Sequence, residues 1–342
     1  MSDIFLETLK FAVKNSASDV HFSSGKPPIL RIIGELKKID TNPIQVSELK
    51  NFIMGYLDDA QKKLLDSNSE VDLAIALPGL ARFRVNVYRH MEGYSAAFRI
   101  IEDRIRTLDE LRMPDTLRDF VKHKKGLILL TGPTGSGKST TLAAMINEIN
   151  YSRREHILTI EDPIEYVHEP QMSMIHQREV GPHTQDFASA LRSCLREDPD
   201  VILVGEMRDL ETITNALTAA ETGHLVLSTL HTNSAAETVD RIINVFPAEQ
   251  QQQIRTVLAS SLVAVIAQRL LPMSMHKDRI ALLEILSATD AVRNLIREGK
   301  THQLDSMIQT GTDYGMRSFQ KSLTELVQNN LISPDMASGE LL

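Results

Sequence analysis

Residues 132–139 read Gly132-Pro-Thr-Gly-Ser-Gly-Lys-Ser139. The stretch satisfies the spacing G-x-x-x-x-G-K-[ST], in which glycines let backbone N–H groups turn inward around phosphate oxygens. An apolar run, Gly126-Leu-Ile-Leu-Leu-Thr131, precedes it, and a helix-like stretch, Thr140-Thr-Leu-Ala-Ala-Met-Ile-Asn147, follows. Strand, loop and helix in that order aim the positive end of the helix dipole at an anion. The pattern predicts a nucleoside triphosphate site built from Gly132, Pro133, Thr134, Gly135, Ser136, Gly137, Lys138, Ser139 and Thr140. Within it Lys138 reaches the β- and γ-phosphates, and the Ser139 hydroxyl ligates Mg²⁺.

Outward from this loop, apolar strand-like runs at 127–131, 157–161, 201–205 and 225–229 alternate with helical stretches. Such alternation implies a mainly parallel α/β sheet with ligands at the carboxyl ends of its strands. Beyond residue 234 the chain reads as mostly helical, with one strand-like run at Arg279-Ile-Ala-Leu-Leu-Glu-Ile-Leu286. The first hundred residues differ. A loose helix spans 4–14, a strand spans 29–33, and period-two alternation marks 71–77 and 81–88, joined through Pro78-Gly79. A further strand is expected at 95–101. The charged segment 102–118, with Pro114, reads as a linker. The expected organisation is a small α+β domain at 1–101, a linker at 102–118 and an α/β domain at 119–342.

Composition narrows the function classes. The 342 residues carry a net charge of −8 and no Lys/Arg-rich tract, which argues against nucleic acid as the main partner. Cys194 is the only cysteine, so neither an intrachain disulfide nor a Cys-based zinc site is expected. No basic start with an apolar run follows Met1, and no apolar stretch nears the roughly 18–20 residues that span a bilayer. The longest, Leu262-Val-Ala-Val-Ile-Ala267, ends in Gln-Arg. A cytoplasmic protein without direct membrane insertion is expected.

Three clusters follow the phosphate loop, each at a strand end. In Thr159-Ile-Glu-Asp-Pro-Ile-Glu-Tyr166, the residues Glu161, Asp162 and Glu165 crowd three carboxylates together. Such crowding suits a cation or an activated water, or else a solvated acidic turn. The strand at 201–204 ends in Gly205-Glu206, with Gly205 where a phosphate-loop ATPase has its Mg²⁺-facing aspartate. Glu206 is the candidate for orienting or deprotonating the attacking water, and for facing Mg²⁺ through water. The alternative is a charged strand terminus paired with Arg208. Finally, His224 and His231 bracket the strand at 225–229. Each is placed either to meet a γ-phosphate or to be a buried structural histidine. Arg82, Arg84 and Arg99 lie on the alternating strands of the first domain. They are either solvated surface or the guanidinium that speeds phosphoryl transfer on the order of 10³–10⁵-fold.

Taken together, these clusters resemble the secretion-superfamily ATPases of type II secretion and type IV pili, most closely the PilT-type retraction ATPases. The likeness begins at Ala17-Ser-Asp-Val-His21, continues through Gly79-Leu-Ala-Arg-Phe-Arg-Val-Asn86, and takes in the four nucleotide motifs in order. It ends at Ala291-Val-Arg-Asn-Leu-Ile-Arg-Glu298, with Val292 the one conservative departure. The resemblance implies a PAS-like N-terminal domain joined to a RecA-like ATPase domain, in a ring-shaped homohexamer fuelled by ATP and Mg²⁺. It also implies an inner-membrane pilus platform protein as partner and, through it, the pilin fibre. Arg84 and Arg99 match the family's phosphate-reaching arginines; Arg82 matches less well. The terminal segment reads as a helix capped by Thr289 or Asp290 and ended by Gly299, with Arg293 and Arg297 together on an exposed face. Rival readings are an accessory paralogue, an assembly or type II secretion ATPase, a RecA-like nucleic-acid motor and a non-hydrolysing paralogue. Assembly ATPases generally carry a longer N-terminal region and a tetracysteine metal site, both at odds with this chain.

Overall fold

The computed structural model describes residues 3–15, 17–32, 34–101, 104–274 and 278–335. Ile33 of the strand expected at 29–33, and Glu102 and Asp103 of the expected linker, lie outside the described residues. The chain divides into two compact units, Met1–Arg104 and Ile105–Leu342.

In the first unit, six strands form one antiparallel sheet: β1 (Asp19–Ser23), β2 (Ile29–Ile32), β3 (Glu35–Lys38), β4 (Glu70–Leu77), β5 (Ala81–His90) and β6 (Gly93–Ile101). Their order is β3-β2-β1-β6-β5-β4. Alternation along β5 buries Ala81, Phe83, Val85 and Val87 while Arg82, Arg84 and Asn86 face outward, as period two requires. The buried face packs on the helices Asp3–Lys14 and Val46–Met54 through Phe5, Leu9, Leu49 and Ile53. Phe5 stacks on Phe52 of the second helix at 4.2 Å, and its edge-on contact with Phe22 of β1 at 5.2 Å ties helix to sheet. Strands β1 and β3 lie outside the expected elements: β1 alternates, with Val20 and Phe22 buried, but over only five residues, and β3 is exposed throughout.

The second unit is built on seven strands: β7 (Gly126–Thr131), β8 (His156–Glu161), β9 (Met174–Glu179), β10 (Val201–Val204), β11 (Leu225–Thr229), β12 (Leu262–Pro272) and β13 (Arg279–Ser287). The order is β13-β12-β7-β11-β10-β8-β9, and only β13 runs antiparallel to its neighbour. Every residue of β7, β10 and β11 is buried. Helices cover both faces of these central strands, so they read as unbroken apolar runs. Leu127, Leu158 and Val204 feed the core on one face; Ile128, Ile157 and Leu203 feed the other. Leu108, Met113 and Leu117 join that second layer, so most of the expected 102–118 linker is part of this unit.

Two expectations are corrected. The apolar run at 262–267 is strand β12, within a region read as mostly helical. The helix Asp290–Arg297 has the expected Thr289 cap, and Gly299 follows it at φ 69°. Its Arg293, however, is not on an exposed face. Its guanidinium donates to the carbonyls of Ala288 (3.0 Å), Ala259 (2.5 Å) and Ser260 (2.9 Å), completing the end of the helix Ala248–Ser261. Arg293 is half-buried and Arg297 exposed. Arg293→Ala orphans those carbonyls and is expected to cost about 1–3 kcal/mol, whereas Arg297→Ala stays within about 0.5 kcal/mol. Urea unfolding of the two variants measures both; equal midpoints would remove the capping role.

Candidate active site

The carboxyl ends of β7, β8, β10, β11 and β12 share one edge of the seven-stranded sheet, and the motif residues leave from them. Residues 132–137 run from β7 into the helix Lys138–Ser152. Lys138 is buried and donates from Nζ to the carbonyls of Gly132 (2.7 Å) and Pro133 (3.1 Å). Burial lowers its pKa, while the carboxylates of Glu206 and Glu165 oppose that shift. The Ser136 Oγ is buried and has no hydrogen-bond partner among the described residues. Beside it, a Cβ at Gly135 (φ 80°) would meet nothing within 4 Å. An orphaned hydroxyl beside an open, glycine-rich loop at a helix N-terminus fits a phosphate chain. Ser139 is exposed at the same helix start.

Glu206 leaves the end of β10, where the Thr229 hydroxyl donates to the Gly205 carbonyl (2.7 Å) and Gly205 N–H donates to Ile160 O (2.8 Å). Asp209 then caps the helix Leu210–Thr222 by accepting from Thr212 N–H, so the short turn is held at both ends. The Glu206 carboxylate meets Arg208 (2.8 Å) and His231 Nε2 (3.0 Å). Burial pulls its pKa up, but the Arg208 hydrogen bond and the charges of His231 and Arg208 win, holding it below the usual carboxylate range. The anticipated Arg208 pair therefore forms, and it makes Glu206 an ionised acceptor. A carboxylate so held is suited to orienting water more than to taking its proton.

The three carboxylates after β8 have separate environments. Asp162 is exposed and adds to the field on Arg208. Glu165 faces Lys138 and Glu161. Glu161 accepts from Thr159 Oγ1 (2.7 Å) and Gln177 Nε2 (3.1 Å), and burial pushes its pKa up to about 7 against those bonds. Between its ordinary 4.5 and about 7 the folded chain keeps a proton that the unfolded chain has released. Stability is therefore lost as pH rises through that window. Glu161→Gln is expected to be the more stable protein at pH 8, by about 1–3 kcal/mol, and to match wild type near pH 4. Parallel unfolding curves for the two proteins from pH 4 to 8 would refute this.

The histidines part company. His231 follows β11 at the carboxyl edge and touches Glu206. His224 precedes β11: its carbonyl accepts from Gly126 N–H at the start of β7, and its Nδ1 lies 3.0 Å from Ala219 O. At about 3.3 Å per strand residue, it stands roughly 15 Å or more from the phosphate loop, a structural histidine within this unit. Arg84 and Arg99 belong to the first unit, where they are direct cross-strand partners on β5 and β6. Asp19 holds Arg99 at 3.0 Å. Arg82 shares their outward face.

Several contributors were missed. Gln177 on β9 donates to Glu161 and to Tyr166 O, and accepts from His168 N–H, so one side chain shapes the acidic loop. Tyr166 OH pairs with Thr140 Oγ1 at 2.8 Å. A buried hydroxyl chain runs from Thr131 to Thr232 (2.6 Å) and on to Thr238 (2.6 Å), joining the base of the phosphate loop to the turn that carries His231. The polar residues Thr131 and Thr232 beside apolar runs were the available signal.

Comparison with known proteins places this geometry. A family model described as type II/IV secretion system protein matches residues 2–332. A type IV pilus retraction ATPase, PilT, of Pseudomonas aeruginosa is 49% identical over 331 residues, covering 97% of this chain and 96% of that one. A twitching motility protein of Neisseria gonorrhoeae is 51% identical over 310 residues, 91% of this chain and 83% of its own length. Among solved structures, a pilus retraction motor PilT with bound ADP superposes with a TM-score of 0.90 at 44% identity, covering 97% of this chain and 95% of that one.

Proposed function

The chain belongs to the type II/IV secretion system family of ATP hydrolases, and on that footing we propose that it drives type IV pilus retraction and thereby twitching motility. The near-full-length likeness to pilus retraction ATPases carries the reading. ATP binds along residues 132–140, with Lys138 leaving the loop carbonyls for the β- and γ-phosphates. Ser139, and Glu206 through water, would hold Mg²⁺, which neutralises charge on the transferring phosphoryl group. Glu206, clamped by Arg208 and His231, orients the attacking water, and Glu165 keeps the local field that favours a charged Lys138.

Six chains assemble into a ring in the cytoplasm, peripheral to the inner membrane. Arg84 and Arg99 supply guanidinium groups to the phosphates, and hydrolysis releases them. A ligand shifts a conformational equilibrium only by its differential affinity, so cleavage of the γ-phosphate is what resets the motor. Successive rounds of hydrolysis turn an inner-membrane platform protein and draw pilin subunits out of the fibre base.

Deleting the gene tests the direction of the motor. Surface fibres should accumulate in excess while surface movement stops. A strain without fibres would identify an assembly motor instead.

A further inference from the structure

Strand β12 outruns its neighbour. Its pairing with β7 ends at Ala267 opposite Thr131, and Gln268 continues past that point alongside the phosphate loop. The two lie in close contact. A Cβ at Gly132 would sit 2.2 Å from the Gln268 carbonyl oxygen, and one at Gly137 would sit 2.9 Å from Gln268 Nε2. The first and last glycines of the loop are thus required by the strand beneath them as well as by φ values of 141° and 85°.

The Gln268 side chain is 1% exposed, and both ends of its amide are used. Nε2 donates to the Ser136 carbonyl at 2.7 Å, and Oε1 accepts from the Thr141 hydroxyl at 2.9 Å. A carbonyl can only accept, so the nitrogen must face Ser136. In a trans peptide the C=O and the following N–H point in opposite directions. Holding Ser136 O down onto β12 therefore turns the Gly137 N–H up, toward the concave side of the loop.

We propose that Gln268 is a positioning residue for the phosphate loop, fixing the Ser136–Gly137 peptide so that its N–H faces the nucleotide's phosphates. The inference rests on the reading of 132–140 as the phosphate site. An amide is the side chain that suits the position: it supplies one donor and one acceptor at the required reach. A glutamate of the same shape sets a carboxylate oxygen against the Ser136 carbonyl and places negative charge under the phosphates.

The test uses the full chain carrying Gln268→Glu or Gln268→Met, with Lys138→Ala alongside. ADP affinity, KM for ATP, kcat and melting temperature are measured for each. For both Gln268 variants the ADP Kd and the KM for ATP should rise about 10–100-fold, with kcat falling much less. The glutamate variant should be the worse of the two. Unchanged Kd and KM in the methionine variant would overturn the inference, and that variant decides should the glutamate one fail to fold. A melting temperature and kcat that fall together at constant KM would likewise overturn it, leaving Gln268 a packing residue. ADP binding retained in Lys138→Ala would instead overturn the phosphate-site reading itself.

Discussion

Lys138→Ala should give a folded protein that neither holds nor hydrolyses ATP. The ammonium is buried at the start of the helix Lys138–Ser152 and is bonded only to the loop carbonyls of Gly132 and Pro133 among the contacts described. Those two bonds leave it poised over the concave face of the loop, where a charged donor to phosphate is roughly twice as strong as a neutral one. Its removal should lower kcat/KM by about 10²–10³-fold or more, the scale set by deleting one donor to developing charge. The helix keeps its apolar anchors Leu142, Met145 and Ile146, so the melting temperature should change little. Steady-state ATPase assays, read beside nucleotide binding, give the answer. Turnover within tenfold of wild type would remove Lys138 from the site.

Glu206→Gln separates binding from chemistry. The carboxamide fills the same space but presents a donor where Arg208 and His231 both require an acceptor. Ionised Glu206 is also the carboxylate whose field sustains the charge on Lys138. The expected result is a fall in kcat of about 10²–10³-fold while nucleotide affinity stays within several-fold. His231→Ala should cost less, because Arg208 still holds the carboxylate. If Glu206→Gln weakens affinity and leaves kcat intact, Glu206 belongs to binding and the hydrolytic role passes to the acidic loop after β8.

Much of this arrangement is legible in the linear chain because its signals are local. The phosphate loop, its strand and its helix are contiguous, and the apolar runs of β8, β10 and β11 announce central parallel strands. What the sequence hides is long-range. Leu262–Pro272 follows the helix Ala248–Ser261 without a break. Its first six residues are apolar throughout, so periodicity cannot separate buried strand from buried helix. The edge strand β9 reads Met-Ile-His-Gln-Arg-Glu, too polar to stand out. Gln268 meets a loop far from it in sequence, and nothing near it reveals the contact.

Two ambiguities of the linear chain share a cause. His224 and His231 flank one strand symmetrically in sequence, but a parallel sheet makes its two edges chemically unequal. Arg293 and Arg297 share a helical face at i,i+4, but the wheel does not reveal that the end of another helix covers one of them. Likewise Glu161, Asp162 and Glu165 look alike as letters. Register sets Gln177 opposite Thr159, so both side chains reach Glu161, and burial then pushes its pKa up to about 7.

A structure of the chain with a non-hydrolysable ATP analogue and Mg²⁺ is the most direct measurement. The β- and γ-phosphates should lie within hydrogen-bond distance of Lys138 Nζ and Ser136 Oγ, with Glu206 still bound to Arg208 and His231. Phosphates seated elsewhere, with Lys138 still bonded to the carbonyls of Gly132 and Pro133, would contradict the assignment of this edge of the sheet as the hydrolytic centre.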